Sequence, residues 1–89
     1  MPRSKHGALV AATVTTVTLD ADYDSAEILN RGTTDDLWIR LDKVDPVIGA
    51  EDNYVCVPGG FVILPVPTAG NTEVRLISAG TPAYSVAGV

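Results

Sequence analysis

Eighty-nine residues make a single small domain, and six Lys and Arg against eleven Asp and Glu leave a formal net charge of −5. An acidic body argues against nucleic acid as the partner, because neutralising phosphates needs clustered Lys and Arg. Cys56 is alone, so no internal disulfide can brace a core that is drawn mainly from Val and Ala, with one Phe, one Trp and three Tyr.

In chain order, the first nineteen residues hold Arg3, Lys5 and His6 and no acid. Residues 1–7 read as a short flexible basic arm, with the folded domain running from 8 to 89, because termini without an apolar pattern are usually loose. Ala8-Leu9-Val10-Ala11-Ala12 after basic residues mimics a secretory leader, but this run of five is shorter than the ~7–15 apolar residues such a leader needs. It leads straight into Val14-Thr15-Thr16-Val17-Thr18-Leu19, which has high β propensity, so Ala8–Leu19 is expected to form a first strand or pair of strands.

Asp20–Asp24 reads as a turn, and Ser25–Asn30 as a strand entering the turn Asn30-Arg31-Gly32-Thr33-Thr34. Leu37-Trp38-Ile39-Arg40-Leu41 is the clearest central strand. Its aliphatics occupy alternate places, so Leu37, Ile39 and Leu41 share one face while Trp38 and Arg40 share the other. Residues 42–53 mix Pro, Gly and acids and are expected to be an exposed loop.

Tyr54–Val57, Phe61–Val66, Glu73–Ser78 and Ala83–Val86 complete about seven strands. Pro65 and Pro67 place their strand at a sheet edge, since proline cannot donate to a ladder. Val74 and Leu76 face one way and Arg75 the other. Short strands with turn signals every ~8–12 residues predict an all-β fold, a small antiparallel β-sandwich or barrel. No stretch approaches the ~18 consecutive apolar residues that span a membrane, and the expectation is a soluble protein that keeps its lone thiol in a reducing cytoplasm.

The search for chemistry returns no catalytic residue, no metal site and no cofactor. Asp20, Asp22 and Asp24 have the spacing that opens a calcium loop, but the sixth position is Ser25 where Gly is needed and the twelfth is Arg31 where Glu belongs. Asp35-Asp36 and Glu51-Asp52 are paired carboxylates with no neighbour to split their titrations. His6, the only imidazole, lies in the expected arm, so an ordered nucleophile–base pair is excluded. Cys56, flanked by Tyr54-Val55 and Val57, reads as a small buried hydrophobe without the cation that would activate it. Gly59-Gly60 is a turn without the helix and Lys of a phosphate loop. Trp38, Tyr23, Tyr54 and Tyr84 could together offer a sugar-binding platform, but scarce aromatics in a thin core more often serve as contact anchors. Arg3, Lys5, His6, Trp38, Arg40 and Arg75 are therefore the protein-contact candidates.

The succession Ile28-Leu29-Asn30-Arg31-Gly32, Leu37–Asp42, Val44–Gly49, Asp52-Asn53-Tyr54-Val55, Pro58-Gly59-Gly60, Val74–Gly80 and Tyr84-Ser85-Val86 resembles small structural proteins of tailed bacteriophages. The resemblance covers most of the chain after the first seven residues and rests on strand and turn grammar. It implies a non-enzymatic β-sandwich of the virion, some members of which decorate the capsid surface. The expected partners are then the major capsid protein or other virion subunits, on the virion after synthesis in the host cytoplasm. Connector or tail protein, sugar-binding or adhesin module and cytoplasmic regulatory or toxin-neutralising protein are the alternatives. Because a thin core leaves aliphatic patches, a homo-oligomer is expected, with a trimer as the first guess. Such sequences often turn on Asp-Gly at this corner, and this chain has no Gly after Lys43.

Overall fold

The computed structural model describes residues 4–89. Among these, eight strands form: β1 (Ser4–Ala8), β2 (Thr15–Thr18), β3 (Ser25–Asn30), β4 (Leu37–Arg40), β5 (Tyr54–Cys56), β6 (Phe61–Pro65), β7 (Glu73–Ile77) and β8 (Ala83–Gly88). They build two four-stranded sheets, β1-β8-β3-β6 (sheet A) and β2-β7-β4-β5 (sheet B), with every ladder antiparallel. The all-β sandwich expected from the turn spacing is the fold. No helix of the described residues is long and apolar enough to cross a membrane.

The alternation predicted for the central strands sets the core. Leu37 and Ile39 of β4 and Val74 and Leu76 of β7 point inward and have no exposed surface; from sheet A they meet Ala26, Ile28 and Val86, equally buried. Leu41 and Cys56 join this cluster as the side-chain pattern required. β4 lies inside sheet B, and β6, with Pro65, is an edge of sheet A, both as predicted. Pro65 is paired with Ser25 at the end of its ladder, where a missing N–H costs least.

The N-terminal segment departs from expectation. From Ser4 onward it is not an arm but strand β1, laddered to β8 from Ser4↔Ala87 to Ala8↔Ala83, so a boundary after residue 7 would cut a strand. The first three residues lie outside the described range. Lys5, His6 and Gly7 carry no apolar alternation, and β1 is held instead by its backbone ladder. Gly7 serves this pairing, because a Cβ there would sit 2.8 Å from the Tyr84 hydroxyl across the ladder. The Ala8–Leu19 run is also not continuous. It breaks at Ala12, whose φ of 54° reverses the chain while its N–H donates to Ser78 O at 2.8 Å. Eight strands result where about seven were expected.

Only β4 and β5 are both consecutive in sequence and hydrogen-bonded to each other. The connections crossing between layers are secured by two buried polar side chains. Asn30 donates from Nδ2 to Asp35 O (2.9 Å) and Cys56 O (3.0 Å) and accepts from Gly32 N (2.9 Å) at Oδ1, tying the end of β3 to that of β5. Thr72 Oγ1 accepts from Tyr23 N at 2.9 Å and joins the two strands' approaches at the other end. Both side chains are wholly buried, and burial is tolerated because these hydrogen bonds are made.

Candidate interaction surfaces

The outward face of sheet B carries three of the six contact candidates. Trp38 and Arg40 project there from β4. Register pairs Trp38 with Ile77 and Val55, and Arg40 with Arg75. Two like charges directly opposite would repel, and here each is neutralised from its own side. Arg40 binds Asp42 at 2.5 Å and also Asp52; Arg75 binds Glu73 at 2.6 Å and Asp45 at 2.8 Å. The hydrogen bond from Arg40 holds the Asp42 carboxyl below its ordinary value, against the opposing effect of desolvation.

Asp45 and Asp52 belong to the loop of residues 42–53, so these two pairs hold the long loop against sheet B. Asn53 Nδ2 donates to Val47 O at 2.5 Å and closes the loop on itself. Pro46 within it is buried, although the composition predicted an exposed segment throughout. Ile77 points away from the core yet is only 8% exposed, and Trp38 is half-buried. Val55, paired with Trp38, is exposed, so the chain covers this face in part.

Sheet A turns a different face outward. From the ladders, one row across the sheet reads His6, Ser85, Leu29, Phe61 and the next reads Ser4, Ala87, Glu27, Ile63. Phe61 is 62% exposed and Ile63 56%, and Val57 beside the β5–β6 turn is 59% exposed. Ten of the chain's eleven acids lie elsewhere; Glu27 is the one on this face. Outward side chains are Ser4, His6 and Ala8 on β1, Ala83, Ser85 and Ala87 on β8, and the exposed Phe61 and Ile63 on β6.

Of the remaining candidates, Arg3 lies outside the described residues. Lys5 and His6 are exposed on the edge strand β1, where His6 Nδ1 and Ser85 Oγ lie 2.6 Å apart. The structure brings Trp38, Arg40 and Arg75 together and leaves Lys5 and His6 on the other sheet. It does not assemble the four aromatics. Tyr84 points into the core, Tyr23 packs against it, and Tyr54 lies on the opposite side of its ladder from Trp38. Sequence reasoning missed Phe61 and Ile63. Their signal was present, since Phe61-Val62-Ile63-Leu64 is apolar at every place and so must present apolar groups on both faces of its strand.

No built chemical site accompanies these surfaces. Among the described residues, no three His, Cys, Asp or Glu side chains gather as metal ligands. Asp20 instead accepts the Tyr23 hydroxyl at 2.6 Å. Cys56 is buried, with Sγ 3.2 Å from Gly60 O, and burial pushes its thiol up, away from the reactive thiolate. A cleft of about 210 Å³ beside Arg40 is smaller than the ~300–1,000 Å³ usual for ligand pockets, and its cation is already paired. Comparison with family models, curated proteins and solved structures returns no match.

Proposed function

We propose that this chain is a non-enzymatic structural protein of a tailed-phage virion, a decoration protein that binds the major capsid shell and stabilises it. The observation that carries the contact role is the outer face of sheet A. Phe61 and Ile63, on adjacent rows of that face, are both more than half exposed, and Glu27 is the one acid in those rows. A small monomer rarely leaves such groups contiguous without a partner for them.

The resemblance of the turn and strand succession to small virion proteins supplies the kind of assembly. The edge strand β1, with Lys5 exposed, supports attachment by strand addition to a shell subunit, main-chain hydrogen bonds giving affinity. The experiment is quantitative mass spectrometry of purified particles from the phage carrying the gene. Copies near-stoichiometric with the major shell subunit are expected. A handful per particle would make the chain a connector or tail component, and absence from particles would overturn the virion reading.

A further inference from the structure

We propose that strand β2 pairs with the β2 strand of a second copy, antiparallel about a two-fold axis normal to the sheet at Val17, joining two copies of sheet B into one continuous sheet. The pairing uses neither the outer face of sheet A nor the virion reading, and it stands or falls independently of both.

The edges of the two sheets select the strand. Among the described residues β1 and β6 lie at the edges of sheet A, and β2 and β5 at those of sheet B. An exposed edge attracts further strands unless a charge, a proline or brevity blocks it. β1 carries Lys5 and His6, β6 ends on Pro65, and β5 is 3 residues long. β2, Thr15-Thr16-Val17-Thr18, has none of these guards, and it lies in a run, Ala8–Leu19, without a charged residue, proline or glycine. Its Val and Thr residues favour the extended strand that such pairing needs.

The ladder to β7 fixes which backbone groups are free. Leu19 N donates to Thr72 O at 2.8 Å, so by the alternation of an antiparallel pair Leu19, Val17 and Thr15 turn their N–H and C=O groups towards β7. Those of Thr16 and Thr18 point away from it, and no backbone hydrogen bond from the described residues reaches them. Both side chains are exposed as well.

Register then selects the second copy. Thr16 and Thr18 lie symmetrically about Val17, so the two-fold sets Thr16 opposite Thr18 of the other copy, each such pair exchanging both of its main-chain hydrogen bonds. The free donors and acceptors of one copy are those of the other in reverse order, and β-branched residues face each other across the junction. Charge agrees with this register. Arg75 is the ladder partner of Thr16 and Glu73 that of Thr18, so each row flanks the junction with Arg75 of one copy and Glu73 of the other, and no like pair. The two Asp20 side chains fall opposite Val14 of the other copy, roughly 20 Å apart at ~3.4 Å per residue, beyond the ~8 Å Debye length of physiological salt. Pairing consumes both free edges, so the contact closes at two copies. One short strand pair buries well under the ~800 Å² per partner of a standard interface, and the dimer therefore forms reversibly with concentration.

Sedimentation equilibrium and amide hydrogen exchange by NMR on the purified full chain, both over a concentration series reaching about 1 mM, where contacts this weak are populated, test the pairing. The mass is expected to rise from 9.3 kDa towards twice that value. Over the same series the amides of Thr16 and Thr18, which have no acceptor in the single copy, should slow at least twofold, while that of His6 on the free side of β1 stays fast. Thr16→Pro removes a free donor without taking one from the ladder to β7 and is expected to abolish the dimer. Thr18→Lys puts a charge into the junction and should weaken it several-fold, with the thermal unfolding of the dilute chain unchanged because the side chain is exposed. Phe61→Glu should leave association unaltered. A chain monomeric throughout the series, association that leaves the Thr16 and Thr18 amides fast, or association unaffected by both β2 substitutions overturns the pairing. A dimer lost on Phe61→Glu but kept in Thr18→Lys would overturn it too and move the contact to sheet A.

Discussion

The two outer faces of this sandwich solve the same problem in opposite ways. Each sheet has an inward side that fills the core and an outward side that carries apolar groups: Trp38, Val55 and Ile77 on sheet B, Leu29, Phe61 and Ile63 on sheet A. Sheet B fastens a loop of its own at the Arg40 and Arg75 end of that surface, by Asp45 to Arg75 and Asp52 to Arg40. Among the described residues sheet A has no such cover, because its connections cross to the other layer. The difference shows where an acidic 89-residue chain places its charge. Four carboxylates pair with Arg40 and Arg75 on sheet B, and the outward face of sheet A is left with Glu27 as its one acid.

Isoleucine occurs on both outward faces, which allows a direct test of this contrast. Ile77 is outward but 8% exposed, whereas Ile63 is outward and 56% exposed. Truncating a buried isoleucine to alanine removes its transfer free energy and leaves a cavity, for a loss of about 2–4 kcal/mol. Ile77→Ala should therefore destabilise the chain by roughly this amount in urea unfolding at low protein concentration. Ile63→Ala should fall within about 0.5 kcal/mol of the parent, as surface changes do. Equal costs would mean that Ile77 is not buried in solution.

Acid offers a second way to open the covered face while leaving the other untouched. Hydrogen bonding from Arg40 lowers the folded-state pKa of Asp42 beneath its unfolded value, so the contribution of ionised Asp42 is fully present above the unfolded pKa of about 3.9 and disappears as pH falls through the lower folded value. Nothing in this pair changes between pH 7 and 5. Trp38, the only tryptophan and two residues from Arg40, reports on it. Its acrylamide quenching should stay constant from pH 7 to 5 and rise below about pH 4, with the far-ultraviolet strand signal retained at the onset. Asp42→Asn should show the raised quenching already at neutral pH. A rise between pH 7 and 5 in the parent would assign control to a different group.

Much of this organisation was legible in the residues, and the unread parts have identifiable causes. Leu37-Trp38-Ile39-Arg40-Leu41 and Val74-Arg75-Leu76 alternate strictly, and period-2 alternation fixes both strand and face. Pro65 marked an edge because a missing donor is tolerated only there. Strand β1 was not legible, since Lys5-His6-Gly7 has no alternation and owes its conformation to β8, nearly eighty residues away in sequence. The cover on sheet B was hidden for a related reason. Arg40 and Arg75 read as free cations on an exposed face, and only the fold brings Asp52 and Asp45 to them. Four consecutive apolar residues in β6 did announce a second apolar face, but a run without alternation does not say which side is left bare.

Lys43 is where the covering loop begins, and it gives the finest test of how that cover is imposed. Its φ of 63° lies in the left-handed region, which costs a residue with a Cβ about 1–2 kcal/mol relative to ordinary backbone. Glycine adopts the same angle without that penalty but loses more chain entropy on folding. The Lys43 Nζ hydrogen bond to Ala69 O, 3.3 Å long and exposed, offsets little of the strain. Lys43→Gly should thus raise stability by about 0.5–1 kcal/mol and leave Trp38 quenching at neutral pH unchanged, because the ion pairs that close the loop lie on either side of the corner. If quenching rises instead, the Lys43 side chain takes part in holding the loop down. If stability falls with quenching unchanged, the turn is paid for by lysine's own contacts and not by a strained backbone waiting for glycine.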